Sequence, residues 1–250
     1  MSGVKRALAG ILIAAGVFMP LSASAEFSIA LYAGKQLTNN GDLRLKQGQT
    51  DLTFHDVSWK DESFESPIYY GARLSYWFDE LSPWGVAVDF THAKTYLKNG
   101  DTVAVTGTRN GTPVDAREPV SDSIRNFSLS HGLNMITLNG LHRWFPSGKR
   151  DLSPLGRVQL YAGLGAGFSI PHVEADINGI KTDEYQVAAG PVANGMLGLN
   201  YDMSRYLSGI VEYKLSYADV RAELNGGGFV DAATVNHQLI FGLATNFNLW

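Results

Sequence analysis

The sequence predicts an all-β protein: an eight-stranded antiparallel transmembrane β-barrel behind a cleaved signal peptide. Three observations predict it. Eight stretches alternate apolar residues with small or polar ones at period two, the signature of strands with one greasy face. The connections between them run long, short, long, short, long, short, long, the asymmetry of a chain that crosses a membrane back and forth with short periplasmic turns and longer outer loops. No later stretch reaches the ~18 continuous apolar residues that a spanning helix needs.

The chain has 250 residues. It opens with Lys5 and Arg6, an apolar run from Ala7 to Met19, and Ala23-Ser24-Ala25, which reads as a secretory signal peptide over residues 1–25. Residues 26–250 form the single barrel domain. The formal net charge is −4, and removal of Lys5 and Arg6 makes the exported chain more acidic, which excludes nucleic acid as a partner. With 0 Cys there is no disulfide framework, so stability rests on the fold.

The first strand sets Phe27, Ile29, Leu31 and Ala33 against Ser28, Ala30 and Tyr32. A long polar loop, 38–66, precedes the second, where Ile68, Tyr70, Ala72, Leu74, Tyr76 and Phe78 alternate with Tyr69, Gly71, Arg73, Ser75 and Trp77. After a tight turn at 79–83, Trp84, Val86, Val88 and Phe90 line the third, with Asp89 and Thr91 opposite. Another long polar loop, 98–130, leads to the fourth. It carries Ile136, Leu138 and Trp144 on one side and Thr137, Asn139 and Arg143 on the other, and its alternation is the noisiest of the eight.

The fifth strand is the clearest. Val158, Leu160, Ala162, Leu164, Ala166 and Phe168 alternate with Arg157, Gln159, Tyr161, Gly163, Gly165 and Gly167. Those glycines sit inside a strand, not between a strand and a helix, so they are no phosphate loop; they leave room for bulky lumen neighbours or for curvature. The sixth strand is read over 184–201, with a bulge at Gly190-Pro191. The seventh sets Leu207, Val211, Tyr213, Leu215 and Tyr217 against Ser208, Glu212, Lys214 and Ser216. The eighth carries Leu239, Phe241, Leu243, Phe247 and Leu249.

The greasy set is assigned to lipid and the charged set, Arg73, Asp89, Arg143, Arg157, Glu212 and Lys214, to the lumen, where an eight-stranded barrel is narrow enough to be filled by side chains. A soluble ligand-binding barrel would turn the greasy set inward, but the other face is rich in Gly, Ser and Tyr and thin in charge, a poor soluble exterior. Aromatic residues near the strand ends, Phe78, Trp84, Trp144, Tyr201 and Tyr206 below and Tyr213 and Tyr217 above, read as interface girdles.

The candidate chemistry lies at the outer end of the fifth strand. In His172-Val173-Glu174 the His and Glu point to one side of extended backbone. A His-x-Glu pair with a distant His is the sequence form of the 2-His-1-carboxylate site of non-haem iron. His92 or His237 supplies the third ligand in this reading. By parity His92, His172 and Glu174 continue the outward face to the outer rim, with Lys94 beside them to meet a phosphate. The bland reading makes all of these polar rim positions. His55, His131 and His142 show no partner pattern and receive no role.

Several segments together resemble the lipid A oxidase family of outer-membrane proteins: Tyr70-Gly-Ala-Arg73, the DFTHAK segment Asp89 to Lys94 within 84–94, Gly132-Leu-Asn-Met-Ile-Thr-Leu-Asn139, Tyr161 to Gly167 with Pro171-His-Val-Glu174, Glu184-Tyr-Gln186, and Glu212-Tyr-Lys-Leu-Ser-Tyr217. The resemblance implies residence in the outer membrane of a Gram-negative bacterium, with outer-membrane lipid and lipid A or lipopolysaccharide as partners. It implies an enzyme that oxidises the proximal glucosamine to 2-aminogluconate with dioxygen, releasing hydrogen peroxide. Family resemblance transfers no catalytic residue. On the residues themselves, His172, Glu174 and His92 act as metal ligands or general bases, Lys94 binds substrate phosphate, and a divalent metal such as iron is the expected cofactor of a monomer. The other expectation is a non-catalytic barrel whose outer loops bind a surface or lipopolysaccharide. The outer loop 102–125 is longer than the family pattern.

Overall fold

The computed structural model describes residues 25–248 except Leu152. The signal peptide reading over residues 1–24, Leu249 and Trp250 lie outside the described residues. Among those described, fourteen strands form one sheet. They are β1 (Glu26–Thr38), β2 (Gly41–Gln47), β3 (Thr50–Val57), β4 (Trp59–Lys60), β5 (Tyr70–Trp77), β6 (Trp84–Leu97), β7 (Thr102–Arg109), β8 (Thr112–Pro119), β9 (Ile124–Trp144), β10 (Val158–Ile177), β11 (Ile180–Tyr185), β12 (Pro191–Asp202), β13 (Leu207–Glu223) and β14 (Phe229–Asn248).

Eight of them close a ring in the order β1-β5-β6-β9-β10-β12-β13-β14, and β14 returns to β1 in antiparallel register from Glu26↔Asn248 to Thr38↔Asn236. Closure leaves no open edge inside the ring, the condition for a sheet to sit in hydrocarbon. Among the described residues no helix is long and apolar enough to cross a membrane.

The faces follow the pleat. Leu31, Leu74, Val88, Leu138, Leu164, Leu197, Leu215 and Phe241 are all exposed on the outside. Inside, Arg73 donates to both Glu212 carboxylate oxygens, at 2.6 and 2.8 Å, and to Asp89 at 2.6 Å. Lys214 donates to Asp89 at 2.8 Å and to Tyr32 at 3.1 Å. Lower down, Arg143 donates to Glu26 at 2.8 Å and to the carbonyls of Asp79, Ser82 and Glu80, and stacks on Trp77. Charges in a narrow, water-poor lumen persist because each is paired and hydrogen-bonded. Arg157 instead sits half-buried at the lower rim, donating to the carbonyls of Asp202 and Met203.

The barrel does not stop at the membrane. Along β13 the outward residues change from Val211, Tyr213, Leu215 and Tyr217 to Asp219, Arg221 and Glu223, all exposed. In the same stretch the inward ones change from Glu212, Lys214 and Ser216 to Ala218, Val220 and Ala222, all buried. The pleat keeps its phase while the chemistry changes sides, so lipid surrounds the lower part and water the upper. This is a correction to the two long polar loops. Residues 38–66 and 98–130 contain β2, β3, β7 and β8, which extend the sheet from the top of β14. Leu43, Leu45, Leu52, Phe54, Val103 and Val105 are buried in one core with Val173, Val220 and Val230. The sixth ring strand is also shorter than expected: it begins at Pro191, and residues 180–185 fold back on β10 as β11. The architecture is that of an outer-membrane β-barrel with a water-soluble upper storey.

The division between the two storeys is open to mutation. Leu164→Arg, on the lipid face, destabilises the refolded barrel by roughly 2–4 kcal/mol in urea titration, whereas Asp219→Arg shifts it by less than about 1 kcal/mol. Glu212→Ala leaves Arg73 without its bidentate partner in the lumen and costs about 3–5 kcal/mol; an unchanged unfolding midpoint would contradict the pairing.

Candidate functional site

The outward apolar run of β10 ends at Ile170, and His172 and Glu174 follow on the same face, half-buried. Their partner comes from β9. Between Leu133 and Ser128 that strand carries extra residues relative to β6 and β10, and the register shifts at Ala93/Thr95 and at Pro171/Glu174. The bulge swings His131 out onto the surface. Its Nδ1 lies 2.8 Å from Glu174 Oε1, and the His172 Nδ1 lies 3.7 Å from the same oxygen. Ser130 Oγ also donates to that oxygen.

The sequence thus pairs His172 with Glu174, and the structure adds His131 as the third member. One ligand atom from each of His131, His172 and Glu174 lies within 4.8 Å of the others. Two imidazoles and a carboxylate are the donor set of a divalent transition metal. His172 Nδ1 is buried and has no hydrogen-bond partner, while its Nε2 faces Asp183 Oδ1 at 3.3 Å. A carboxylate behind one imidazole nitrogen fixes the ring and leaves the other nitrogen's lone pair for a metal. Burial works to raise the Glu174 carboxyl, but hydrogen bonds from Ser130 and His131 outweigh it and lower the group from its ordinary value. It is therefore an anion at neutral pH.

His92 lies on β6, next to β9, and is not one of the three. It is buried, stacked on Tyr70 with ring centroids 4.7 Å apart, and bonded through Nδ1 to Asn134 Oδ1 at 2.8 Å. It shares with His131 a pocket of about 390 Å³ whose walls include Phe90, Ile170 and Tyr185. Gly132, at φ +124°, makes the arrangement possible: a Cβ there would lie 2.6 Å from both His92 Nδ1 and Asn134 Oδ1. Lys94 is on the same face, two residues above His92, but it is buried and donates to the Ser66 carbonyl at 3.4 Å, so it does not stand free to meet a phosphate.

His237 is a correction. It sits on β14, with β12 and β13 between it and β10, and its Nδ1 is 2.6 Å from the Tyr213 hydroxyl. It cannot complete a site with His172. His131 escaped sequence reasoning because the bulge breaks the parity rule; the noisy alternation of that strand and Gly132 were its only traces.

No family model and no curated protein matches the chain. Among solved structures it is similar to Neisserial surface protein A, at 14% identity and TM-score 0.41 over 89% of this chain and 97% of that one. It is also similar to a major outer membrane protein from Thermus thermophilus, at 15% identity and TM-score 0.44 over 90% and 100%. A third is Ail, the attachment invasion locus protein of Yersinia pestis, at 14% identity and TM-score 0.36 over 90% and 99%. The barrel assignment stands on the strand pairing and the two faces described above.

Titration of the refolded barrel with Co(II), followed by visible absorption, tests the cluster. The wild-type chain binds the ion, His131→Ala and His172→Ala each lose it, and Asp183→Asn weakens it about 10–100-fold. His237→Ala binds as wild type. Undiminished binding by His131→Ala would contradict the assignment.

Proposed function

We propose that the protein is an outer-leaflet oxidase that acts on the proximal glucosamine of lipid A and converts it to 2-aminogluconate with dioxygen. The observation that carries the reading is the direction the cluster faces. His131, His172 and Glu174 look outward from the barrel just above the last apolar residues of β10, where the headgroup of a membrane lipid lies beside the wall. A soluble substrate would call for a site in the lumen or on the upper storey.

The chemistry is a two-electron oxidation. The reducing-end carbon loses two hydrogens to one dioxygen, which leaves as hydrogen peroxide, and water opens the resulting lactone to the acid. The sugar gains one oxygen. His131, His172 and Glu174 would hold a divalent metal such as iron, which would supply the means of activating dioxygen. Asp183 orients His172. His92, at the pocket beside the cluster, accepts the proton of the reducing-end hydroxyl as a general base.

The non-catalytic reading has one observation in its favour. The upper storey is folded and presents a charged outer wall, in which Arg221 pairs with Asp231 and Arg44 and Lys46 with Asp51. Such a wall suits attachment to an anionic or zwitterionic surface.

Mass spectrometry of lipid A from cells with and without the gene separates the two. The oxidase reading predicts one additional oxygen on the proximal sugar, lost in the His172→Ala and His92→Ala variants that still reach the membrane. Identical lipid A from fully expressing cells rules it out.

A further inference from the structure

The His92 pocket has a feature that the metal cluster does not explain. His92 is 4% exposed, and its Nε2 is buried without a hydrogen-bond partner. The state of that nitrogen is set by a relay. The Asn134 amide nitrogen donates to the Ile170 carbonyl at 3.0 Å, which orients the amide. Its oxygen then faces His92 Nδ1 at 2.8 Å. An amide oxygen only accepts, so the proton of the neutral ring sits on Nδ1 and Nε2 carries a lone pair. A buried acceptor left unpaired is unfavourable unless a ligand or water satisfies it.

The pocket's shape and mouth say which ligand. About 390 Å³ is within the range of small-molecule sites. Beside His92, His131 and Asn134, its walls are apolar or aromatic: Pro67, Phe90, Ile170, Tyr70 and Tyr185. Such walls suit the C–H face of a ring, while the lone pair of Nε2 asks for a hydroxyl. The two segments that supply Pro67 and Tyr185 to its walls also carry exposed apolar side chains, Phe64 at 74% and Ile68 at 47% in one and Val187 at 76% in the other. On β13 and β14 the residues above the belt are charged instead, as at Arg221 and Asp231. Exposed apolar side chains on the segments around the pocket suit a place beside lipid.

We infer that this pocket is a subsite for the pyranose ring of a membrane-anchored glycolipid, which enters sideways from the outer leaflet and donates a ring hydroxyl to His92 Nε2, with Asn134 as the residue that positions the acceptor. The subsite deepens the oxidase reading and rests on it for the choice of lipid A as the glycolipid; as a binding site it stands whether or not the bound sugar is oxidised.

The test is ¹⁵N-histidine NMR of the full barrel in phosphatidylcholine bicelles under argon, with His92 assigned from the His92→Gln spectrum. In lipid A-free bicelles the His92 signals are those of a ring protonated on Nδ1. Doping with lipid A moves the Nε2 resonance, and Asn134→Leu weakens that response about tenfold, the loss expected for one hydrogen bond. Should Asn134→Leu fail to fold, the wild-type titration decides alone. A His92 resonance indifferent to lipid A overturns the subsite, as does an equal response to free glucosamine in lipid A-free bicelles. Oxidised lipid A with a silent His92 removes the subsite and keeps the oxidase; a responsive His92 with unaltered lipid A does the reverse.

Discussion

Everything in this molecule depends on the pairing of β14 with β1. Backbone groups in hydrocarbon have no water to turn to, so a sheet there is tenable only when its last strand bonds its first. Once the ring is closed, the pleat sends alternate side chains to lipid and to lumen. The lumen of eight strands is too narrow for a water column, and the charges inside must satisfy one another. The Arg73–Glu212–Asp89–Lys214 network does so, tying β5, β6 and β13 across the interior. Arg143 does the same for the lower turns.

The site lies where two solvents meet. Below it the outer wall is apolar; above it the interior is. A residue pointing outward at that level is neither in bulk water nor in hydrocarbon, and it can meet a lipid headgroup. Regular strands bring His92, His172 and Glu174 to this level, and one irregular stretch brings His131. The bulge in β9 places His131 against Glu174, and the glycine within it clears space for His92 to reach Asn134. A single local departure from strand geometry thus shapes both the three-residue cluster and the His92 pocket.

The barrel itself was legible because period two is a direct consequence of extended backbone. Apart from Arg157, the inward and outward sets of the first five strands match the observed faces, and Gly165 is small because Asn139 and Asn194 crowd it in the lumen. The upper storey was hidden by composition. Its strands are polar outside and short, and Leu43-Arg-Leu45, Leu52-Thr-Phe54 and Val103-Ala-Val105 are the small period-two fragments through which it could be read. Within the site, the His-x-Glu pair followed from parity. The choice of third histidine did not, because it depends on which strands neighbour β10 and on a bulge that shifts the parity count. His237 had a suitable residue type on the wrong side of the ring.

The inversion of the two faces along one unbroken strand is the most exposed point of the account. Single cysteines at outward positions of β13, spin-labelled in the refolded, lipid-embedded protein, measure it through collision with oxygen, which concentrates in lipid, and with a nickel chelate confined to water. Labels at Val211, Tyr213 and Leu215 should collide with oxygen and ignore nickel, and labels at Asp219, Arg221 and Glu223 should do the opposite. Nickel collisions along the full length of the strand would contradict a membrane barrel and every inference about the rim.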